Sequence, residues 1–189
     1  MGNNNRLTRG EASVGSLIVD DLIRFNDATE QVTAYHGYYG AFSSYQTQTL
    51  GSANAIAPLS FEVTDSADNV SIVNNTKVTF AHTGVYNIQW SGQYQNTATN
   101  ADHDVYVWVR INEEDVVGST GRVSVIRSHA GIPGHILPAW NYVFEMNEGD
   151  NLELYWSSDS TLVTLLGGSA STNPPHPSTA SVILTAIEI

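Results

Sequence analysis

Apolar and polar residues alternate most regularly in residues 104–117, DVYVWVRINEEDVV. The apolar members fall on one face of this segment: Val105, Val107, Val109 and Ile111. The intervening positions carry two aromatic residues and an arginine: Tyr106, Trp108 and Arg110. A period of two is typical of a β-strand that is buried on one face. The letters INEED that follow predict a turn.

Short runs of this kind, separated by Gly, Asn, Asp and Pro, continue from residue 38 to residue 189. We expect strands at residues 40–44, 59–63, 70–73, 77–80, 84–94, 104–112, 122–128, 136–146, 151–157, 162–166 and 180–189. Regularly spaced short strands favour a β-sandwich or jelly roll over alternating strands and helices. The sequence therefore predicts an all-β fold, and the presence of only one lysine, Lys77, argues against helices.

The last predicted strand, ASVILTAIEI, is apolar on both faces. A strand that is buried on both faces is either central in its sheet or covered by a neighbouring subunit. The second alternative would make the protein an oligomer.

Residues 1–37 differ in pattern from the rest of the chain and predict an extended N-terminal arm. The arm begins with an Asn-rich segment, and its later apolar residues fit neither the helical nor the strand period. A short helix at residues 17–25 and an extended segment that pairs with neighbouring chains remain alternatives. The predicted domain boundary separates residues 1–37 from a domain at 38–189.

The charge of the chain limits its partners. Nineteen acidic and seven basic residues give a net charge of −12. Binding to phosphates requires Lys and Arg, so we expect neither a nucleic acid nor a membrane as partner. The sequence contains no cysteine, which excludes disulfides and thiolate chemistry. We find no apolar core of a signal peptide at the start of the chain and no apolar run of membrane-spanning length.

The segment RSHAGIPGHI, residues 127–136, raises the question of a metal site. His129 and His135 flank a Gly-Pro-Gly bend, and His103 with its acidic neighbours could complete a ligand set. No recognised zinc spacing is present, however. We therefore interpret the segment as a structural corner between strands, with no metal and no other cofactor. The acids in TDSADN and NADHD are interpreted as solvated turns rather than a calcium site.

Aromatic residues are the candidates for an interface, because protein interfaces concentrate Tyr and Trp. We expect contacts with a neighbouring chain at five positions: Tyr35, Tyr38, Tyr39, Trp140 and Tyr142. Trp90 and Trp108 lie in the middle of predicted strands and are assigned to the core or to a subunit interface. Stacking of exposed rings on glycans is the alternative. No nucleophile elbow or phosphate-binding loop occurs, so we do not expect an enzyme.

Four segments, in this order, resemble the C1q/TNF-like jelly roll. They are FAHTGVYNIQWSGQY, DVYVWVRINEEDVV, VFEMNEGDNLELYW and PSTASVILTAIEI, which lie between residues 80 and 189. The resemblance is taken to span the whole predicted domain, residues 38–189. The chain lacks the collagen-like stalk of the secreted animal members. Its Asn/Thr/Ser-rich composition, its arm and the segment SHAGIPGHI are more similar to virion structural proteins of phages, in particular cyanobacterial and marine phages.

This resemblance implies a C1q/TNF-like jelly-roll β-sandwich that forms a homotrimer on the surface of a phage capsid. The implied function is that of a decoration (cement) protein, which stabilises the shell by burying surface between subunits. Its partners would be copies of itself and the major capsid protein or another virion protein. The alternative is a head, neck or tail fibre domain that binds host-surface glycans. The arm would attach the protein through six residues: Arg6, Arg9, Leu17, Val19, Leu22 and Phe25.

Overall fold

A computed structural model describes residues 23–24, 28, 30–31 and 37–189. The chain divides into two compact units, Met1–His36 and Gly37–Ile189. In the first unit, strand β1 (Ile23–Arg24) pairs antiparallel with β2 (Glu30–Gln31). The helical alternative is therefore wrong at residues 23 and 24, which are extended.

The second unit is built from short strands, and no helix occurs among the described residues. None of those residues belongs to a helix that could span a membrane. The strands are β3 (Tyr39–Ser44), β4 (Gln48–Thr49), β5 (Ile56–Pro58), β6 (Val63–Asp68), β7 (Val70–Val73), β8 (Lys77–Phe80), β9 (Gly84–Gly92), β10 (Tyr94–Asn96), β11 (His103–Ile111), β12 (Glu114–Asp115), β13 (Gly121–Val125), β14 (Gly134–Ile136), β15 (Ala139–Met146), β16 (Asn151–Ser158), β17 (Val163–Leu165), β18 (Ser171–Thr172), β19 (Pro175–His176) and β20 (Val182–Glu188).

Two antiparallel sheets form the body of this unit. The first sheet has the order β15-β9-β20-β3-β6. The second has the order β12-β11-β16-β8-β7, with β13 also paired to β11 and β5 to β16. A smaller sheet, β14-β10-β17-β4, continues from one end, and β18 pairs with β19. From β9 onwards the long strands alternate between the two sheets, and this connectivity makes the unit an all-β jelly-roll sandwich.

The core lies between the two sheets and is made by alternate residues of their strands. From the first sheet, Phe42, Ile88 and Leu184 are fully buried. From the second, Val109 and Leu154 are equally buried. Aromatic rings join the sheets directly: the centroids of Phe80 on β8 and Tyr86 on β9 are 4.6 Å apart. The period of two in residues 104–111 was thus correctly interpreted, because Val105, Val107 and Val109 all face this core.

Most predicted strands differ from the observed ones by one to three residues at an end, and three of them differ more. The strand predicted at 59–63 begins only at Val63. Ser60 is instead held by a side chain, since Gln48 accepts from its N–H at 2.9 Å and donates to its carbonyl oxygen at 2.9 Å. The strand predicted at 84–94 is divided at Gln93, where the chain passes from the first sheet to the smaller one. The strand predicted at 136–146 is divided at Leu137 and Pro138, because proline has no N–H for the ladder.

Candidate functional site

The outward face of the first sheet carries a row of isoleucines on β20. Val182, Leu184 and Ala186 point into the core. The alternate residues Ile183 and Ile187 are 47% and 49% exposed, and Ile189, just beyond the strand, is 65% exposed. β20 is central in its sheet, between β9 and β3. An apolar row in the middle of an open sheet face is unusual for a surface that only contacts water.

Residues on the neighbouring strands extend this row into a patch. At the level of Ile187 lie Asn87 on β9, Val143 on β15 and Tyr39 on β3. Val143 is 55% exposed, Tyr39 39% and Val85, near the end of β9, 40%. We call the set Tyr39, Val85, Val143, Ile183, Ile187 and Ile189 the isoleucine face.

The isoleucine face has charged residues only at its edges, and these are acidic. None of the five strands of the first sheet contains a Lys or Arg. Glu145 on β15 and Asp68 on β6 lie at its edges. Between the apolar rows, the Asn141 amide donates a hydrogen bond to the Oδ1 of Asn87, so these two amides partly satisfy each other. The middle of the face therefore has no exposed charge that would resist burial.

A depression of about 460 Å³ lies at one end of the face. Ser91 and Ala139 stand opposite each other there, and their short side chains leave the space. Ile183 forms one wall, while Gln89 and Asn141 contribute amides. The depression is open and mainly apolar, so it has the shape to receive a side chain from another molecule.

Of the predicted interface residues that the structure describes, Tyr39 lies on the isoleucine face and the others do not. Tyr38, the adjacent residue, stacks on His82 with ring centroids 3.9 Å apart. Trp140 and Tyr142 lie on the opposite side of β15, where Trp140 pairs with the buried Trp90. Tyr35 lies outside the described residues.

On that inner side of β15, three rings form a stacked series: Trp140, Tyr142 and Phe144, with successive centroids 6.3 and 5.5 Å apart. Trp140 is 50% exposed and lines the margin of the depression. The Tyr142 hydroxyl donates to the Ser119 carbonyl oxygen at 2.6 Å, and burial raises the pKa of Tyr142. Tyr142 is thus packed against other residues of its own chain.

The isoleucines themselves were not among the predicted interface residues. The segment ASVILTAIEI, apolar on both faces, left two alternatives: a central strand or a cover from a neighbouring subunit. The structure shows the central position. The six predicted anchor residues, Arg6, Arg9, Leu17, Val19, Leu22 and Phe25, all lie outside the described residues.

The three candidate metal-binding histidines have separate partners. The Nδ1 of His103 lies 3.0 Å from the Oδ1 of Asp159. His129 forms an isolated backbone bridge with Ile132, and His135 on β14 is paired with Gln95. Within the described part of the chain, no group of three His, Cys, Asp or Glu side chains is arranged to hold a metal ion.

The His129–Ile132 bridge encloses a tight turn with Ala130 and Gly131 at positive φ, 50° and 82°. After it, the chain joins β14 at Gly134, which packs directly on the backbone of Ile126. The segment RSHAGIPGHI is therefore a turn followed by an edge strand. Gly131 adopts the positive φ of the turn, and Gly134 allows the close contact with Ile126.

The acids of TDSADN and NADHD were predicted to lie in turns, but Asp68 lies on β6 and Asp104 lies on β11, so the turn prediction is wrong for these residues. Asp102 accepts a hydrogen bond from the Arg127 N–H at 2.8 Å, and Asp104 accepts one from the Ser124 hydroxyl at 2.7 Å. Asn69 has positive φ, 58°, and donates to Asp68 at 2.7 Å. Asp104 and Ser124 are opposite each other on β11 and β13, so their hydrogen bond joins two strands.

No family model and no curated protein matches this chain. The isoleucine face is therefore the feature from which we infer a function, and its chemistry is that of a surface suited to burial. Its aliphatic side chains offer no groups for acid–base or nucleophilic chemistry, and removing them from water is favourable in proportion to their area.

Proposed function

We propose that this protein is a structural component of a phage virion, a homotrimeric decoration protein on the capsid surface. The observation that carries the proposal is the isoleucine face, because it supplies a broad apolar surface free of cations. Each copy would cover the isoleucine face of a neighbouring copy. The resemblance of residues 38–189 to the C1q/TNF-like jelly roll supports three copies rather than two.

The proposed role is mechanical. Permanent interfaces between subunits bury from about 2,000 Å² upwards and are more apolar than transient ones. A trimer placed over a junction of capsid subunits adds buried surface to the shell and opposes the outward pressure of the packaged DNA. Residues 1–37 would provide the attachment to the major capsid protein or to another virion protein. The acidic jelly roll, repelled by DNA, would remain on the outside. The role requires no catalysis and no cofactor.

Self-association is tested by placing a charge on the isoleucine face. Ile187→Asp should convert the trimer into a monomer, because an isolated carboxylate is costly to bury in an apolar interface. The matched control is Val117→Asp, since Val117 is 99% exposed and lies outside the first sheet. Mass is measured by light scattering at micromolar concentration. A monomeric wild type, or a trimer that survives Ile187→Asp, would contradict the proposal.

The location is tested on intact particles. Electron cryomicroscopy of virions should show this chain in many copies distributed over the shell. Few copies at the head vertex, neck or tail would instead identify a fibre domain, and complete absence from the particle would refute a virion role.

A further inference from the structure

The outward face of the second sheet differs in chemistry from the isoleucine face. On β11, the residues between the buried valines point outward: Tyr106, Trp108 and Arg110. In register with them lie Arg122 on β13 and Tyr155 on β16. We call Asp104, Tyr106, Trp108, Arg110, Arg122 and Tyr155 the aromatic–ionic face.

One half of this face is held rigidly. Trp108 and Tyr155 are opposite each other, with ring centroids 6.0 Å apart and an interplanar angle of 31°. Asp115 accepts from the Trp108 Nε1 at 2.7 Å and from the Arg110 Nε at 2.6 Å. The guanidinium carbon of Arg110 lies 4.2 Å from the Tyr155 ring centroid. These contacts fix the orientation of both rings before any ligand arrives, which lowers the entropic cost of binding.

The other half combines an exposed ring with hydrogen-bonding groups. Tyr106 is 36% exposed and stands directly opposite Arg122. The Nε of Arg122 lies 3.5 Å from the Oδ2 of Asp104, and the Arg122 side chain is 65% exposed. The Oδ1 of Asp104 accepts from the Ser124 hydroxyl. A ligand above Tyr106 would therefore meet guanidinium donors and carboxylate acceptors beside an apolar ring.

The distribution of charge indicates which kind of ligand suits this face. Residues 37–189 contain four Lys and Arg residues, and three of them lie on strands of the second sheet: Lys77, Arg110 and Arg122. Each is paired with a carboxylate, Lys77 with Glu113 at 2.9 Å. A dry protein interface would have to remove these ion pairs from water, which is costly. A ligand covered with hydroxyl groups can replace the lost water, because a hydroxyl both donates and accepts.

We propose that the aromatic–ionic face binds a neutral hexopyranose glycan. The C–H face of one sugar ring stacks on Tyr106, and the next ring extends towards Trp108. Hydroxyl groups donate to Asp104 and accept from Arg122. The glycan is neutral because the cations of the face are already paired and the chain carries a net charge of −12, which repels acidic sugars. The site lies on the opposite sheet from the isoleucine face, so it does not depend on self-association.

The test uses the full chain and a panel of neutral hexasaccharides built from glucose, mannose or galactose: maltohexaose, cellohexaose, laminarihexaose, mannohexaose and galactohexaose. Saturation-transfer NMR detects binding, and calorimetry gives the affinity. At least one probe should bind. Tyr106→Ala and Arg122→Ala should each weaken that binding by about tenfold or more, while Tyr106→Phe, which keeps the ring, should retain it.

The matched control is Tyr45→Ala, because Tyr45 is 44% exposed but lies on a different surface. This variant should bind like the wild type. Circular dichroism and the light-scattering mass should be unchanged in all four variants, which separates this test from that of self-association. Failure of every probe to bind overturns the proposal, as does binding that survives both Tyr106→Ala and Arg122→Ala. Protection of Tyr106 from hydroxyl radicals in assembled particles, without sugar binding, would identify a protein partner instead.

Discussion

Some positions of this protein accept only glycine, because another segment of backbone lies against them. Gly134 is the clearest example. A Cβ at this position would overlap the carbonyl oxygen of Ile126, a backbone atom that cannot rotate away. At Gly51, in contrast, a Cβ would have no neighbouring atom within 4 Å. The two glycines therefore allow a matched comparison.

We expect Gly134→Ala to lower the free energy of unfolding by about 3 kcal/mol or more, because β14 must move away from Ile126. Gly51→Ala should change it by less than about 0.5 kcal/mol. Urea denaturation followed by circular dichroism provides both values. If the two variants were equally stable, Gly134 would not lie in close contact with the backbone of Ile126.

Asp150 predicts a dependence on pH. Hydrogen bonds from the Asn112 side chain at 2.7 Å and from the Asn147 backbone at 2.7 Å hold the pKa of this carboxyl below its ordinary value of 3.8. A depressed folded-state pKa means that the charged form stabilises the fold above the ordinary value, and that this contribution disappears as the pH falls through the folded-state pKa.

Asp150→Asn should therefore be less stable than the wild type at pH 7, and the difference should shrink only below about pH 3.8. Melting temperatures measured from pH 7 to pH 2 test this. Asp65→Asn, at an exposed position on β6, is the control. A difference that is constant over the whole range would exclude the charge of Asp150 as its cause.

Among the elements, β20 contributes alternate residues to the core and to the isoleucine face. Leu184 is fully buried in the core, while the adjacent Ile183 is 47% exposed on the isoleucine face. Truncating them should affect different properties of the protein.

In the Ile187→Asp background, where self-association is removed, Leu184→Ala should lower the free energy of unfolding by about 2–5 kcal/mol, the usual cost of a core cavity. Ile183→Ala should cost much less in the same background. In the otherwise native chain, Ile183→Ala should weaken the trimer, which sedimentation at decreasing concentration would reveal. Equal losses of stability in the monomeric background would contradict the assignment of the two faces.

The sequence predicts the elements better than their partners. Alternation located most strands, because a strand that is buried on one face carries apolar residues at every second position. It could not reveal that the Gln48 side chain replaces the ladder at Ser60, since alternation describes strands and not contacts between a side chain and the backbone.

The same limit applies to the candidate site. Tyr39 lies on the isoleucine face, whereas Trp140 and Tyr142, for which the same contact was predicted, lie on the inner side of β15. Their contact with a neighbouring chain stays a prediction. The period of two that they share with Phe144 and Met146 indicates one apolar side of β15. Whether that side meets the core or a neighbouring chain depends on contacts with distant strands, which the local pattern does not contain.

At the scale of the whole molecule, the two outward sheet faces are separate in position and in chemistry. One is aliphatic and without cations, and the other is aromatic and ionic. A protein of this kind can use one face for its own copies and leave the other accessible. The division of the chain between residues 36 and 37 adds a third region, the one proposed above to attach the protein.

Deleting residues 1–36 should leave the strand-rich circular dichroism and the proposed trimer intact, because the described core residues and the isoleucine face all belong to Gly37–Ile189. The truncated protein should no longer bind purified shells that lack it, and cosedimentation measures this. The full-length chain is the positive control. Retained binding would place the attachment site within the jelly roll.

The central position of β20 also has a consequence for synthesis. β9 and β3 are not neighbours in the first sheet, since residues 182–188 lie between them. While the ribosome is still making this segment, the nascent chain has a sheet with an open gap and a core that lacks Leu184 and Ala186. The jelly roll therefore closes only after translation has passed residue 188, and until then its unpaired strand edges need protection from other nascent chains.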